Sequence, residues 1–193
     1  MDRNSPTEKG YRLETQIRDA YGKLVYTYTC HNKIAARIAK RNSCLKLSQI
    51  IISAIMTGGY LGTIIFDINW LNIVGALFSI SLLAINGYMK TNNLADEAYA
   101  HAKTADDLWL LKERYVSLLI DFEDLDLEEI KRLRDELSYA VAEVYENSPR
   151  TDAAAYEAAQ RALKKDEEQF FNDDEVDLML PKGVRRESRI KNS

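Results

Sequence analysis

Proline and glycine are scarce in this chain, three and eight of 193 residues, too few for the many tight turns of a β-sandwich or barrel. Cysteine is limited to Cys30 and Cys44 and histidine to His31 and His101. No CxxC exists, and two histidines seventy positions apart argue against a histidine-rich metal site. A P-loop, a GxGxxG turn, an HExxH helix and a glycine-flanked serine nucleophile are also missing. Cys30 and His31 are adjacent, so on a helix they point about 100° apart and make a poor nucleophile and base. The acidic clusters Asp106-Asp107, Asp121-Phe122-Glu123-Asp124 and Asp173-Asp174-Glu175 lack the ladder and glycine of a calcium loop and read as solvated faces. The expectation is a chain with no catalytic residue, no cofactor and no metal, and therefore not an enzyme. A net charge of -4 argues against a generally basic nucleic-acid binder.

Charge is abundant but segregated. Residues 1–44 sum to +5, residues 45–90 to +1, residues 91–181 to -14 and residues 182–193 to +4. The nearly uncharged stretch is the decisive one. Residues 45–66, LKLSQIIISAIMTGGYLGTIIF, carry Lys46 as their single charge, and residues 70–89, WLNIVGALFSISLLAINGYM, carry none. At 1.5 Å per residue these runs reach about 33 and 30 Å, enough for a hydrocarbon core of about 30 Å. Both read as transmembrane helices. Asp67, Ile68 and Asn69 alone separate them, so the helices are antiparallel neighbours joined by a short periplasmic turn. Lys33, Arg37, Lys40, Arg41 and Lys46 precede the pair, Lys90 and Lys103 follow it, and the turn has no basic residue. The positive-inside rule then puts both termini in the cytoplasm, a reducing compartment in which a Cys30–Cys44 disulfide is not expected.

The remainder reads as helix. Leu13, Ile17, Ala20, Leu24, Ile34 and Ile38 recur at helical spacing with no proline between them, predicting one long cytoplasmic helix that runs into the first span. After the second span, Leu94, Ala98, Ala102, Ala105, Leu108, Leu111, Tyr115, Leu118 and Phe122 predict a stalk continuous with it. Asp126 is a natural N-cap for a third helix ended by Asn147, Ser148 and Pro149. Thr151 or Asp152 caps a shorter helix to about Lys165, and an acidic segment from Asp166 to Leu180 closes at Pro181. The tail from 182 to 193 is basic. The fold class is thus an all-α membrane protein, a two-helix transmembrane hairpin continuing into a cytoplasmic helical bundle over residues 90–181.

Polar residues within the spans are the candidate functional set. At 100° per residue, Gln49, Ser53, Thr57, Tyr60 and Thr63 share an arc of about 120°, and Asn72, Gly75, Ser79 and Asn86 an arc of about 60°. Such stripes must face protein or water. They are either packing seams within one hairpin or the lining of a pore, which requires several copies because two helices enclose no channel. Gly58 and Gly62 form a small-xxx-small pair on roughly the opposite face from Gln49, suited to close helix approach. The basic stretch from Lys33 to Lys46 and the tail residues Arg185, Arg186, Arg189 and Lys191 suit an anionic lipid surface. The tail suits equally an acidic neighbour, an anionic nucleotide or nucleic acid.

The order of motifs around the hairpin resembles a known family. Trp109-x-x-x-Glu113-Arg114-Tyr115-x-x-Leu118-Leu119-x-Asp121, then Arg134-Asp135-Glu136-Leu137, Tyr145-x-x-x-Pro149-x-Thr151, Tyr156-x-x-Ala159-x-x-x-Leu163 and Glu175-x-x-Leu178-x-Leu180-Pro181 are similar to the SLATT family of SMODS and SLOG-associating two-transmembrane effectors. The resemblance covers nearly the whole chain. It implies an oligomeric effector of bacterial conflict systems, resident in the inner membrane and forming pores that stop growth of an infected cell. Its partner is encoded nearby, as a nucleotidyltransferase, a SLOG sensor or a reverse transcriptase. The class-distinct alternative is a membrane anchor that recruits such a complex without conducting. Trp109, Arg114, Tyr115 and Arg134 are then either points of contact for the trigger or an aromatic and salt-bridged core.

Overall fold

The computed structural model describes residues 6–66, 70–169, 171–181 and 185, and places the side chains of all of these except 6, 7, 61, 63–66, 173 and 174. Its elements are α1 (Pro6–Phe66), α2 (Trp70–Thr91), α3 (Leu94–Ile120), a single 3-10 turn (Asp121–Glu123), α4 (Leu127–Glu146), α5 (Ala153–Lys164) and α6 (Asp173–Met179), with no strand among the described residues. The expected turn at 67–69, the aromatic Phe170 and the tail apart from Arg185 lie outside the described residues.

The three prolines explain much of this punctuation. Pro6 opens α1, where its missing N–H is one the first turn leaves unbonded anyway, Pro149 sits between α4 and α5, and Pro181 follows α6. Nothing interrupts the 61 residues of α1, which extend about 90 Å. The helix runs unbroken through Gly22.

The N-terminal part of α1, up to Ile38, packs antiparallel on α3. Leu13, Ile17 and Leu24 form one cluster with Leu108, Leu111, Tyr115 and Leu118, completed by Ile130 and Leu137 of α4. Cys30, Ile34 and Ile38 form a second with Leu94 and with Ala155 and Ala159 of α5. The stripe on each helix recurs every three or four residues, the spacing that lets two helices bury one face along their length. Asp126 caps α4 as its position predicts, accepting from the Glu128 N–H at 3.0 Å and the Glu129 N–H at 2.9 Å. Asp152 rather than Thr151 caps α5, accepting from Ala155 N–H at 2.7 Å.

Two expectations are corrected. The stalk is not continuous with the second apolar helix: α2 ends at Thr91, Asn93 has φ -76 and ψ 71, and α3 begins afresh at Leu94. The cause is local. Asn92 keeps its helical N–H bond to the Tyr88 carbonyl at 2.9 Å and adds its side-chain amide to the same oxygen at 3.0 Å, a local closure typical of asparagine, while the Leu94 N–H turns to the Asn92 carbonyl at 2.8 Å. The acidic segment after Lys165 is likewise not one helix. It turns at Glu167, whose φ of 49 is left-handed, and only Asp173–Met179 is helical, started by a reciprocal capping box between Asn172 and Glu175.

Beyond Cys44, α1 runs antiparallel beside α2. Gln49 donates to the Asn86 side-chain carbonyl near one end, and a Cβ on Gly62 would lie 3.8 Å from Leu71 near the other. Ile52 and Met56 are half-buried here, as are Phe78, Leu82 and Ile85 of α2. The outward faces are apolar and bare: Ile73 is 68% exposed and Leu83 73%. Among the described residues, the stretch beginning at Trp70 is the one long and apolar enough to cross a membrane, and none of its most apolar window is buried within the molecule. A soluble monomer rarely carries an exposed apolar surface of that extent.

Candidate functional site

The polar residues of the apolar helices divide into two groups. Gln49 turns toward α2 and meets Asn86, so this pair ties the two helices together. Ser53, Thr57, Tyr60, Asn72 and Ser79 are exposed. Thr57 donates its hydroxyl to the Ser53 carbonyl at 2.9 Å, which satisfies it within its own helix. Tyr60, Asn72 and Ser79, with Gly59 and Gly75, line an outward groove of about 260 Å³ between α1 and α2, floored by Met56, Val74 and Phe78. No atom of the rest of the chain would come within 4 Å of a Cβ on Gly58 or Gly75. Gly62 contacts α2, whereas Gly58 faces open space, so the two do not act as one packing pair inside this chain. The Thr63 side chain lies outside those described.

The motif residues of the helical bundle separate in the same way. Tyr115 is 2% exposed. Burial pushes its phenol pKa up, while the Ser138 side chain bonded to it and the nearby Arg134 oppose that shift. Arg134, half-buried on α4, donates to Gln16 of α1 at 2.6 Å and pairs with Asp135 at 2.7 Å. Tyr145 donates to Thr27 at 3.3 Å, and Tyr156 stacks on Tyr26 with ring centroids 5.7 Å apart. Tyr115, Arg134, Tyr145 and Tyr156 thus join α3, α4 and α5 to α1, an architectural arrangement in which Asp135 pairs with Arg134 on their own helix. Pro149 shapes the linker between α4 and α5. Trp109, Glu113 and Arg114 face outward, with Trp109 48% exposed and Glu113 paired with Lys112 at 3.2 Å.

Sequence reasoning missed one contact at the centre of the bundle. His31 and His101 are both buried, and their Nδ1 atoms lie 2.9 Å apart. One ring must donate and the other accept, and since burial favours the uncharged form of both, they stand as neutral rings of opposite tautomer. Burial, followed by the neighbouring His101, lowers the His31 pKa to about 4. Burial also lowers that of His101, with Glu97 and Asp152 opposing and Arg37 assisting. The signal was present in the spacing: His31 falls on the stripe of Leu24, Ile34 and Ile38, and His101 on that of Leu94 and Leu108. Among the described residues no three His, Cys, Asp or Glu side chains cluster as a metal site would need.

Residues 13–175 match the family described as SMODS and SLOG-associating 2TM effector domain family 4. The chain belongs to the SLATT family. The match starts at Leu13, the first buried residue of α1, and ends at Glu175 in α6, taking in both apolar helices and the whole bundle. A SLATT domain is, by its description, a two-transmembrane effector that associates with SMODS and SLOG proteins, which makes this chain a member of a class of conflict-system effectors. The membrane expected from the apolar stretch at Trp70 agrees with that description. No curated protein and no solved structure matches the chain.

Proposed function

We propose that this SLATT protein is a non-catalytic effector that oligomerises in the bacterial inner membrane and permeabilises it when a partner acts on its cytoplasmic bundle. In this reading α1 beyond Cys44 and α2 form the transmembrane hairpin, with both termini cytoplasmic. One observation carries the proposal: Asn72 and Ser79 face outward together along a groove of an otherwise greasy pair of helices. In lipid, exposed hydroxyl and amide groups seek protein or water. Several copies arranged with these grooves inward give a polar, uncharged lining, which selects little by charge.

The continuity of α1 supports a triggering route. The helix that carries the bundle's core stripe is the same helix that enters the apolar pair, so a shift of the bundle by a SMODS, SLOG or other partner is delivered to the membrane without an intervening joint. The non-conducting anchor draws its support from the Gln49–Asn86 bond, which shows that hairpin polar groups also serve packing. Induced expression with the activated partner separates the two readings. We expect dye influx and depolarisation that are abolished by Asn72→Leu with Ser79→Leu while the protein still inserts. Unchanged membrane potential in cells carrying the activated wild-type pair would sink the pore.

A further inference from the structure

A second cleft, of about 420 Å³, opens on the bundle side of the apolar helices, between α1, the start of α3 and the linker into α5. Its floor is Ile34, Ile38 and Leu94 with the buried ring of His101. Its rim is ionic. Arg37 is committed to Asp152 through a two-point ion pair. Arg41 lies over the Tyr88 ring, 5.0 Å from its centroid, a stacking contact that leaves the edge N–H groups of the guanidinium unspent. Arg150 and Glu97 form no ion pair among the described residues, and both reach the same cleft. Two guanidiniums and one carboxylate that form no ion pair among the described residues therefore line one volume of the size that holds a small molecule.

We propose that this cleft binds a phosphate ester that also carries a cationic or N–H-donating group. The planar forks of Arg41 and Arg150 match phosphate oxygens. The Glu97 carboxylate accepts from the donor end, and the His101 ring, its Nδ1 occupied by His31, offers Nε2 beside it. The position also bears on the source. Arg41 precedes Leu45 by four residues, about 6 Å along the helix, while the headgroup layer is about 5 to 8 Å deep. A lipid headgroup of the aminophospholipid type reaches Arg41 from the bilayer, and a soluble phosphate ester reaches Arg150 from the cytoplasmic side. Neither source depends on the pore.

The test is the thermal midpoint of the full chain in an uncharged detergent, since a ligand of the folded state raises it with the logarithm of its concentration once that exceeds Kd. The soluble probes are inorganic phosphate and O-phosphoethanolamine, and the micellar probes are phosphatidylethanolamine and phosphatidylcholine. A rise with O-phosphoethanolamine that grows with the logarithm of its concentration assigns the site to a soluble ester, and a rise with phosphatidylethanolamine alone assigns it to lipid. In either case Arg41→Gln with Arg150→Gln should demand about a hundredfold more probe, about tenfold for each of the two charge-assisted bonds lost. Glu97→Gln should weaken the amine-bearing probes and leave inorganic phosphate unchanged. Arg150→Gln alone, at an exposed linker position without an ion pair, keeps the test open if the double variant misfolds. No rise with any probe, or equal rises in wild type and Arg150→Gln, would overturn the site. Because no conductance is measured, that outcome leaves permeabilisation standing.

Discussion

At the scale of single residues, the bundle tolerates one economy and contains one liability. Gly22 sits in the middle of α1, and no atom comes within 4 Å of where its Cβ would be. Gly22→Ala should therefore raise stability by about 0.5 to 1 kcal/mol, read from denaturant midpoints at unchanged slope, because alanine fixes the helical backbone at lower entropic cost. The liability is the histidine pair. His31 is neutral in the fold with its pKa lowered to about 4, whereas in the unfolded chain it takes a proton below about 6.5. Its contribution to stability is whole above pH 6.5 and is lost as pH falls toward 4. The thermal midpoint should decline between pH 6.5 and 5, and His31→Phe with His101→Phe should flatten that decline. An unchanged profile would show that the pair does not control it. Both histidines occupied core positions of legible stripes, yet their meeting was not legible, because two stripes on antiparallel helices meet in a register that no local spacing specifies.

Element boundaries depended on chemistry that the sequence states in part. The caps at Asp126 and Asp152 and the stops around the three prolines were readable, since each is a local hydrogen-bonding or steric rule. The break at Asn92 and Asn93 was not. Hydrophobic periodicity continues from Leu82 through Leu94 to Leu108, and a periodicity argument has no term for an asparagine side chain closing on the Tyr88 carbonyl beside its own N–H while the Leu94 N–H leaves the ladder for the Asn92 carbonyl. Replacing both by alanine should fuse α2 and α3, as alanine removes that closure and gains about 1 kcal/mol of helix propensity over two positions. Amide hydrogen exchange across residues 92 to 96 should then slow by about fivefold. Exchange at the wild-type rate would mean that packing around Leu94, rather than the asparagines, sets the break.

At the scale of the molecule, family membership and the all-helical architecture followed from the order of apolar runs, charge blocks and aromatic motifs, whereas the division of labour within those motifs did not. Tyr115, Arg134, Tyr145 and Tyr156 brace the bundle, leaving Trp109, Glu113 and Arg114 outward, and only assembled helices show which is which. The orientation of the whole chain can be checked with its own cysteines. Cys30 is buried at 4% exposure, and burial, reinforced by the charge of Asp152, raises its thiol pKa, so it should resist alkylation. Cys44 is exposed at the edge of the first apolar run. With both termini cytoplasmic, a bulky maleimide that cannot cross the inner membrane should leave intact spheroplasts unlabelled and attach one group per chain in inverted vesicles. Labelling of Cys44 in intact spheroplasts would place the basic stretch from Lys33 to Lys46 outside, against the positive-inside rule. Two groups per chain in inverted vesicles would mean that the α1 and α5 contact over Cys30 opens in the membrane-bound protein.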